Sequence, residues 1–99
     1  MSFVTTQPEM LASAAGDLQS IGSAVAAGNA AAAAPTTGVV PAAADEVSAL
    51  TAAQFAAQGV LYQTMSTQAT AINELFVSAL MTSAGSYTAT EVVNAAAQL

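Results

Sequence analysis

Residues 41–80 have the sequence PAAADEVSALTAAQFAAQGVLYQTMSTQATAINELFVSAL, and we predict that they form one long helix that decides the fold. Two apolar stripes run along it at helical spacing. The first consists of Phe55, Tyr62, Met65, Ala69, Ile72, Phe76 and Ala79. The second is rotated from the first and consists of Val47, Leu50, Ala57, Leu61 and Leu75. A helix that is apolar on two sides is buried on two sides, and one short partner helix covers only one of them.

An earlier helix, helix 1, is predicted over about residues 7–33. Thr6 can cap it and complete a capping box with Glu9, while Pro8 is tolerated in the first turn. An apolar heptad pattern predicts close packing along a second helix. Its positions are Leu11, Ala14, Leu18, Ile21, Val25, Gly28 and Ala32. We expect Leu11, Leu18, Ile21 and Val25 to face one stripe of the long helix. Close approach of another helix would explain Gly16, Gly22 and Gly28.

A loop at residues 34–41 separates the two helices, because Pro35, Gly38 and Pro41 fall within it. Two long helices joined by a short loop pack as antiparallel neighbours, so the predicted fold is an all-α two-helix hairpin. The long helix is predicted over about residues 42–83, with a break or fraying at residues 82–86. Residues 84–99 could then continue the helix, form a detached helical turn or be disordered.

The charge composition limits the possible partners. The chain has 99 residues, no Lys, Arg or His, and a formal net charge of −6. Without cations it cannot neutralise phosphate, so nucleic acid is excluded as a direct target. A basic helix at a membrane surface is excluded for the same reason, and no segment predicts a membrane span. Ninety-nine residues make at most one small domain.

The side chains needed for catalysis are missing, so we predict no enzyme, no cofactor and no metal. A Ser or Thr nucleophile needs a base, and there is no His or Lys to supply one. Metal sites need clustered ligands, and His and Cys are absent. Asp45 and Glu46 are adjacent in sequence and point about 100° apart on a helix, so they do not form a facing acid–base pair.

Tyr87 and Glu91 are four residues apart, so a helix would present a phenol beside a carboxylate. Alone this pair is equally typical of an ordinary helix surface. It belongs, however, to an ordered set of residues in which the whole chain resembles the PE family of mycobacterial proteins. That set includes Met1–Val4, Pro8-Glu9, residues 31–37, residues 43–48, Phe55, Tyr62-Gln63, Phe76-Val77, Ala79-Leu80, Ala84-Gly85, Tyr87, Glu91 and Asn94.

The resemblance implies a hairpin that pairs with two helices of a PPE protein to form a four-helix bundle. It implies that Tyr87 and Glu91 match the family's YxxxD/E secretion signal, and that Pro8 and Glu9 are the family's Pro-Glu motif. It further implies that the PPE subunit contacts the cytosolic type VII chaperone. The heterodimer, folded in the cytoplasm, would then be exported by the type VII (ESX) secretion machinery to the cell surface or the medium.

The leading hypothesis is therefore a non-catalytic heterodimerisation and secretion-targeting module, which we expect to be poorly soluble or largely unfolded alone. The alternative is a self-associating structural hairpin of the cell envelope. Uniform negative charge counts against self-association, because it would bring only carboxylates together. The predicted partner interface or bundle core includes Leu11, Leu18, Ile21, Val25, Phe55, Tyr62, Met65, Ile72, Phe76 and Leu80. The sequence leaves open which stripe of the long helix packs on helix 1 and which on a partner.

Overall fold

A computed structural model describes residues 5–99, and within them the chain forms two α-helices and no strand. Helix α1 spans Pro8–Thr37 and helix α2 spans Glu46–Ala97. The Met1–Val4 start that contributes to the family resemblance lies outside the described residues. The described part of the chain is therefore all-α, as predicted.

Helix α1 begins at Pro8, and its first free N–H groups are satisfied by a backbone carbonyl. The Gln7 carbonyl accepts hydrogen bonds from the N–H groups of Met10 (3.0 Å) and Leu11 (3.3 Å). The predicted cap, Thr6, uses its hydroxyl elsewhere and donates it to Glu91 Oε1 at 2.9 Å. The Thr6 hydroxyl thus bonds a residue of α2 and does not cap the first turn of α1, so the predicted capping box is not formed.

Helix α1 also extends past Pro35, where the prediction ended it at about residue 33. Pro35 lies in the last turn, so its missing N–H costs a single intrahelical bond there. The three carbonyls that precede the proline are well satisfied. Thr36 Oγ1 donates to the Ala32 carbonyl (2.6 Å), Thr37 Oγ1 to the Ala33 carbonyl (2.7 Å) and Gly38 N to the Ala34 carbonyl (3.0 Å). The two threonine hydroxyls and Gly38 extend the last turn beyond the proline.

Helix α2 begins at Glu46 rather than near residue 42, because Asp45 is its N-cap. The Asp45 carboxylate accepts hydrogen bonds from Ser48 Oγ (2.7 Å) and Ser48 N (3.1 Å). The Asp45 carbonyl accepts the first backbone bond, from Ala49 N at 3.1 Å. The Ser48 hydroxyl and the Ser48 N–H hold the pKa of Asp45 below its ordinary value of 3.8.

Replacing Asp45 with alanine is expected to lower the thermal midpoint, because the first turn of α2 loses its cap. Asp45→Asn is the matched control, since its amide oxygen can still accept from Ser48 N.

The folded-state pKa of Asp45 is depressed, so the charge-dependent part of the stabilisation by this cap is present above the unfolded pKa. It is lost as pH falls through the folded pKa. Thermal melts followed by circular dichroism at neutral and acidic pH measure this loss in the parent and in Asp45→Ala. An equal loss of stability on acidification in both proteins would contradict the assignment of Asp45 as the N-cap.

Helix α2 is continuous to Ala97, so the break expected at residues 82–86 does not occur. Ala84 is buried, which gives this stretch a tertiary contact. The hydroxyls of Thr88 and Thr90 donate to the carbonyls of Ala84 and Ser86, each at 2.9 Å. Of the three alternatives for residues 84–99, continuation of the helix is therefore the one observed.

The chain divides into two compact units, and α1 and α2 run antiparallel within each. We call residues 5–22 with 72–99 the terminal unit and residues 23–71 the loop unit. In the terminal unit, Thr6 contacts Glu91 and Leu18 contacts Asn73. In the loop unit, Asn29 contacts Tyr62 and Gln63. Pairs in which one residue number rises as the other falls define an antiparallel hairpin.

Candidate partner-binding surface

The contact line between the helices, which we call the seam, is made mainly of small and polar side chains. Within residues 5–99 the buried residues are three alanines, Ala15, Ala52 and Ala84. The buried and half-buried positions of α2 recur every three to four residues in each unit. In the loop unit they include Ala52, Ala56, Gly59, Gln63, Ser66 and Thr70, and in the terminal unit Asn73, Val77, Leu80, Ala84 and Glu91. Small side chains let the helix axes approach closely, which leaves little room for bulky residues between them.

Gly59 marks the closest approach in the loop unit. A Cβ atom at this position would collide with the Thr36 carbonyl oxygen and lie 2.8 Å from the Thr36 carbonyl carbon. Next to it, Tyr62 donates its hydroxyl to Asn29 Oδ1 (2.7 Å), and Gln63 Nε2 donates to the Asn29 carbonyl (3.0 Å). Backbone contact at Gly59 and the polar bonds to Asn29 thus join the two helices in this unit.

Gly59→Ala is expected to destabilise the hairpin by about 1–3 kcal/mol, because the atoms in the way belong to backbone and α1 must shift. Gly16→Ala is the matched control. Nothing lies within 4 Å of its added Cβ, so it should stabilise α1 by up to about 1 kcal/mol. Thermal melts of the two variants and the parent, all prepared in the same soluble form, measure the differences in melting temperature. Equal midpoints would show that the helices are not in contact at Gly59.

The seam of the terminal unit includes one of the three glycines predicted to permit close approach. The Asn73 side chain occupies the place of a Cβ at Gly22, and Asn73 Nδ2 donates to the Leu18 carbonyl at 3.4 Å. Gly28, in the loop unit, and Gly16 have open space around them instead. Within the chain, close approach therefore explains Gly22 but not the other two.

Most of the large apolar residues of α2 lie outside the seam, with Val77 and Leu80 as the exceptions. Phe55, Tyr62 and Phe76 are 64%, 53% and 53% exposed, and Met65 and Ile72 are also exposed. The second predicted stripe is exposed as well, so neither stripe packs on α1. On α1, Leu11 and Leu18 are half-buried, as is Leu80 on α2. Ile21 and Val25 are more than half exposed, so α2 does not bury them as predicted.

Helical geometry gives each unit two distinct flanks. A residue one position before a seam residue points about 100° to one side of it. A two-fold axis relates antiparallel helices, so residues that precede seam residues lie on the same side in both. We call this side the apolar flank. In the loop unit it carries Phe55, Tyr62 and Met65, together with Thr51 and Gln58. In the terminal unit it carries Met10, Asp17, Ile21, Ile72 and Phe76, together with Ser83 and Thr90.

The opposite side, the polar flank, consists of residues that follow seam residues. In the terminal unit it carries Glu9, Ser13, Gly16, Gln19, Glu74, Ser78, Met81 and Val92. In the loop unit it carries Ser23, Ala30, Ala53, Val60, Thr64 and Thr67. The aromatic residues Phe55, Tyr62 and Phe76 all belong to the apolar flank. This asymmetry indicates which side of each unit is suited to another protein.

An open groove of about 720 Å³ indents the apolar flank of the loop unit. Phe55 and Tyr62 of α2 form one wall, and Pro35, Thr36 and Val39 form the other, with Gly59 between them. A smaller groove of about 260 Å³ shares Val39 and Phe55. Sequence reasoning did not predict these grooves, because they depend on α1 continuing past Pro35. Their apolar lining can receive side chains from a helix laid across the flank.

The predicted secretion-signal residues lie near the end of α2, in the terminal unit. Tyr87 is 45% exposed, and Glu91 is half-buried and accepts the Thr6 hydrogen bond. Both belong to one continuous helix, so the phenol and the carboxylate are one turn apart. Pro8, which is half-buried, and Glu9, which is exposed, form the first turn of α1. The structure therefore presents the tyrosine ring to solvent and ties the carboxylate to Thr6, two residues before α1.

Most of the large apolar side chains of residues 5–99 are exposed. Within residues 5–99 no cluster of three or more potential metal ligands occurs. No helix in the same range is both long and apolar enough to cross a membrane. The distinctive feature of the described residues is thus exposed apolar surface.

Comparison with known proteins places the chain in a family. The model of the PE family matches residues 4–94. The chain is 67% identical to PE family protein PE13 of Mycobacterium tuberculosis (strain ATCC 25618 / H37Rv), covering 98% of both chains. It is 56% identical to PE8 of the same strain, covering 98% of this chain and 35% of PE8. It is 55% identical to PE_PGRS33 of strain CDC 1551 / Oshkosh, covering 97% of this chain and 20% of that protein.

Fold and surface together define an all-α, two-helix protein with an uncovered apolar flank in each unit. The chain belongs to the PE family. The relatives named above are PE and PE-PGRS family proteins, and their names describe no enzyme. The resemblance inferred from the sequence is thereby confirmed.

Proposed function

We propose that this chain is a non-catalytic module that pairs with a PPE protein and directs the pair to export by a type VII secretion system. The observation that carries the proposal is the placement of the aromatic residues. Phe55, Tyr62 and Phe76 are exposed on the apolar flanks, while the seam is built mainly of small and polar side chains. A hairpin that keeps its bulky residues outside has its largest apolar surface available for another protein.

The proposed complex is a four-helix bundle, in which two helices of the PPE protein cover the apolar flanks. Bundles of this kind place apolar side chains of neighbouring helices against one another. The groove beside Phe55 offers an anchoring point for a partner side chain. Interface energy usually concentrates in a few aromatic residues that fill such pockets.

The proposed export signal is Tyr87 with Glu91. Exposure of the Tyr87 ring supports recognition by the secretion machinery. The PPE subunit, rather than this chain, would contact the cytosolic chaperone. After assembly in the cytoplasm the pair would be exported to the cell surface or the medium.

Co-expression with candidate PPE proteins, followed by size-exclusion chromatography with light scattering, tests the pairing. A stable 1:1 complex, with the lone chain poorly soluble, is the expected result. A soluble homodimer that ignores every PPE protein supplied would favour the self-associating hairpin instead. A cooperative, well-folded monomer would count against both.

A further inference from the structure

A single carboxylate lies within the apolar flank of the terminal unit. Asp17 is exposed and directly precedes Leu18, whose carbonyl accepts the bond from Asn73. By helical geometry it lies on the same side as Ile21, Ile72 and Phe76. The other carboxylates of this unit are placed elsewhere, because Glu9 and Glu74 lie on the polar flank and Glu91 bonds Thr6 in the seam. The apolar flank of this unit therefore carries one formal negative charge among residues 5–99.

Covering this flank would remove the Asp17 carboxylate from water. An ionised carboxylate taken out of water carries a large desolvation cost unless an opposite charge is close by. The chain cannot supply that charge, because it contains no Lys, Arg or His. A second copy of the chain cannot supply it for the same reason. Charge complementarity thus requires a different protein opposite Asp17.

We propose that the partner helix covering the apolar flank of the terminal unit presents a lysine or arginine side chain to Asp17. This inference rests on the proposed pairing and adds a chemical requirement to it. The cation would lie among apolar contacts made with Ile21 and Phe76. A buried ion pair in such a setting fixes the partner's position along the hairpin, because any sliding leaves both charges unpaired.

The test measures the dissociation constant of the complex with the PPE protein for the parent chain and for Asp17→Asn. Asparagine keeps the size of the side chain and removes its charge, leaving the partner's cation unpaired. We expect binding to weaken by about thirtyfold or more, the effect typical of breaking a buried charge pair. Glu74→Gln is the matched control on the polar flank, and it should change the constant by less than about threefold.

Whether Asp17→Asn weakens or tightens binding to the PPE protein decides the outcome. If the partner offers only apolar atoms to Asp17, removing the charge relieves a desolvation cost and Asp17→Asn binds more tightly. Tighter or unchanged binding therefore overturns the proposed cation while leaving the pairing intact. Absence of any complex with the parent chain overturns the pairing and this inference with it. Circular dichroism of the complexes formed by both variants checks that helicity is preserved, as expected for an exposed position.

Discussion

Replacing Tyr87 with alanine is expected to stop export while leaving the complex with the PPE protein intact. The ring is 45% exposed in the chain, so its removal costs the hairpin little. If the ring is the feature that the secretion machinery recognises, the exported fraction should fall at least about tenfold. A tenfold fall corresponds to a loss of roughly 1.4 kcal/mol of binding free energy. Immunoblots of culture filtrate and cell lysate, normalised to the co-purified PPE protein, measure this fraction.

Two controls sharpen the Tyr87 experiment. Val93→Ala truncates another exposed side chain of the same helix, and its export should match that of the parent. Tyr87→Phe keeps the ring and removes the hydroxyl, which separates recognition of the ring from a hydrogen bond to the phenol. Loss of PPE pairing in Tyr87→Ala would show that this residue belongs to the interface, contrary to its proposed role.

Phe76→Ala is expected to weaken the PPE complex strongly and to affect the lone chain only slightly. The ring is half exposed in the chain, so the hairpin loses little packing when it is removed. If the partner buries it completely, truncation costs about 3–5 kcal/mol. That cost raises the dissociation constant by more than about a hundredfold. Co-expression of the tagged parent and the variant in competition for a limiting amount of the PPE protein gives the comparison.

Met81→Ala is the matched control for Phe76→Ala. Met81 is as exposed as Phe76 and lies on the polar flank of the same unit, so its truncation should leave the complex nearly unchanged. Equal losses for the two variants would mean that the partner does not distinguish the two flanks. A near-neutral Phe76→Ala would mean that its ring stays exposed in the complex.

The sequence predicted the architecture because its strongest signals are local. Heptad spacing, the Pro35–Pro41 segment and the absence of strand patterns suffice for two antiparallel helices. The exposure of excess apolar surface was also predictable, since the long helix is apolar on two sides. Each of these features depends on a single helix or loop, and the structure shows all of them.

The helix pairing was not predictable by the same reasoning, which placed bulky residues against helix 1. The seam instead uses a weaker repeat of small and polar residues at seven-residue spacing, namely Ala52, Gly59, Ser66 and Asn73, which ends at the larger Leu80. That repeat is visible in the sequence by side-chain size and not by apolarity. Close packing of helices favours small residues, and the larger ones are then left outside.

The predicted helix ends were wrong for a related reason. Local helix propensity predicts an end before Pro35 and a break at the small residues 82–86, but it does not include side-chain hydrogen bonds or burial. Threonine hydroxyls bonded to backbone carbonyls extend α1 beyond Pro35. Burial of Ala84 accompanies the unbroken course of α2. The Thr6–Glu91 bond, 85 positions apart in sequence, has no local signal from which it could have been found.

The most direct test of the central claim is methionine oxidation by peroxide, followed by mass spectrometry, with and without the PPE partner. Met65 on an apolar flank is 67% exposed and Met81 on a polar flank is 53% exposed, so both should oxidise readily in the lone chain. We predict that the partner protects Met65 strongly and leaves Met81 reactive. Equal reactivity of the two methionines in a verified complex, or protection of Met81 alone, would contradict docking on the apolar flank.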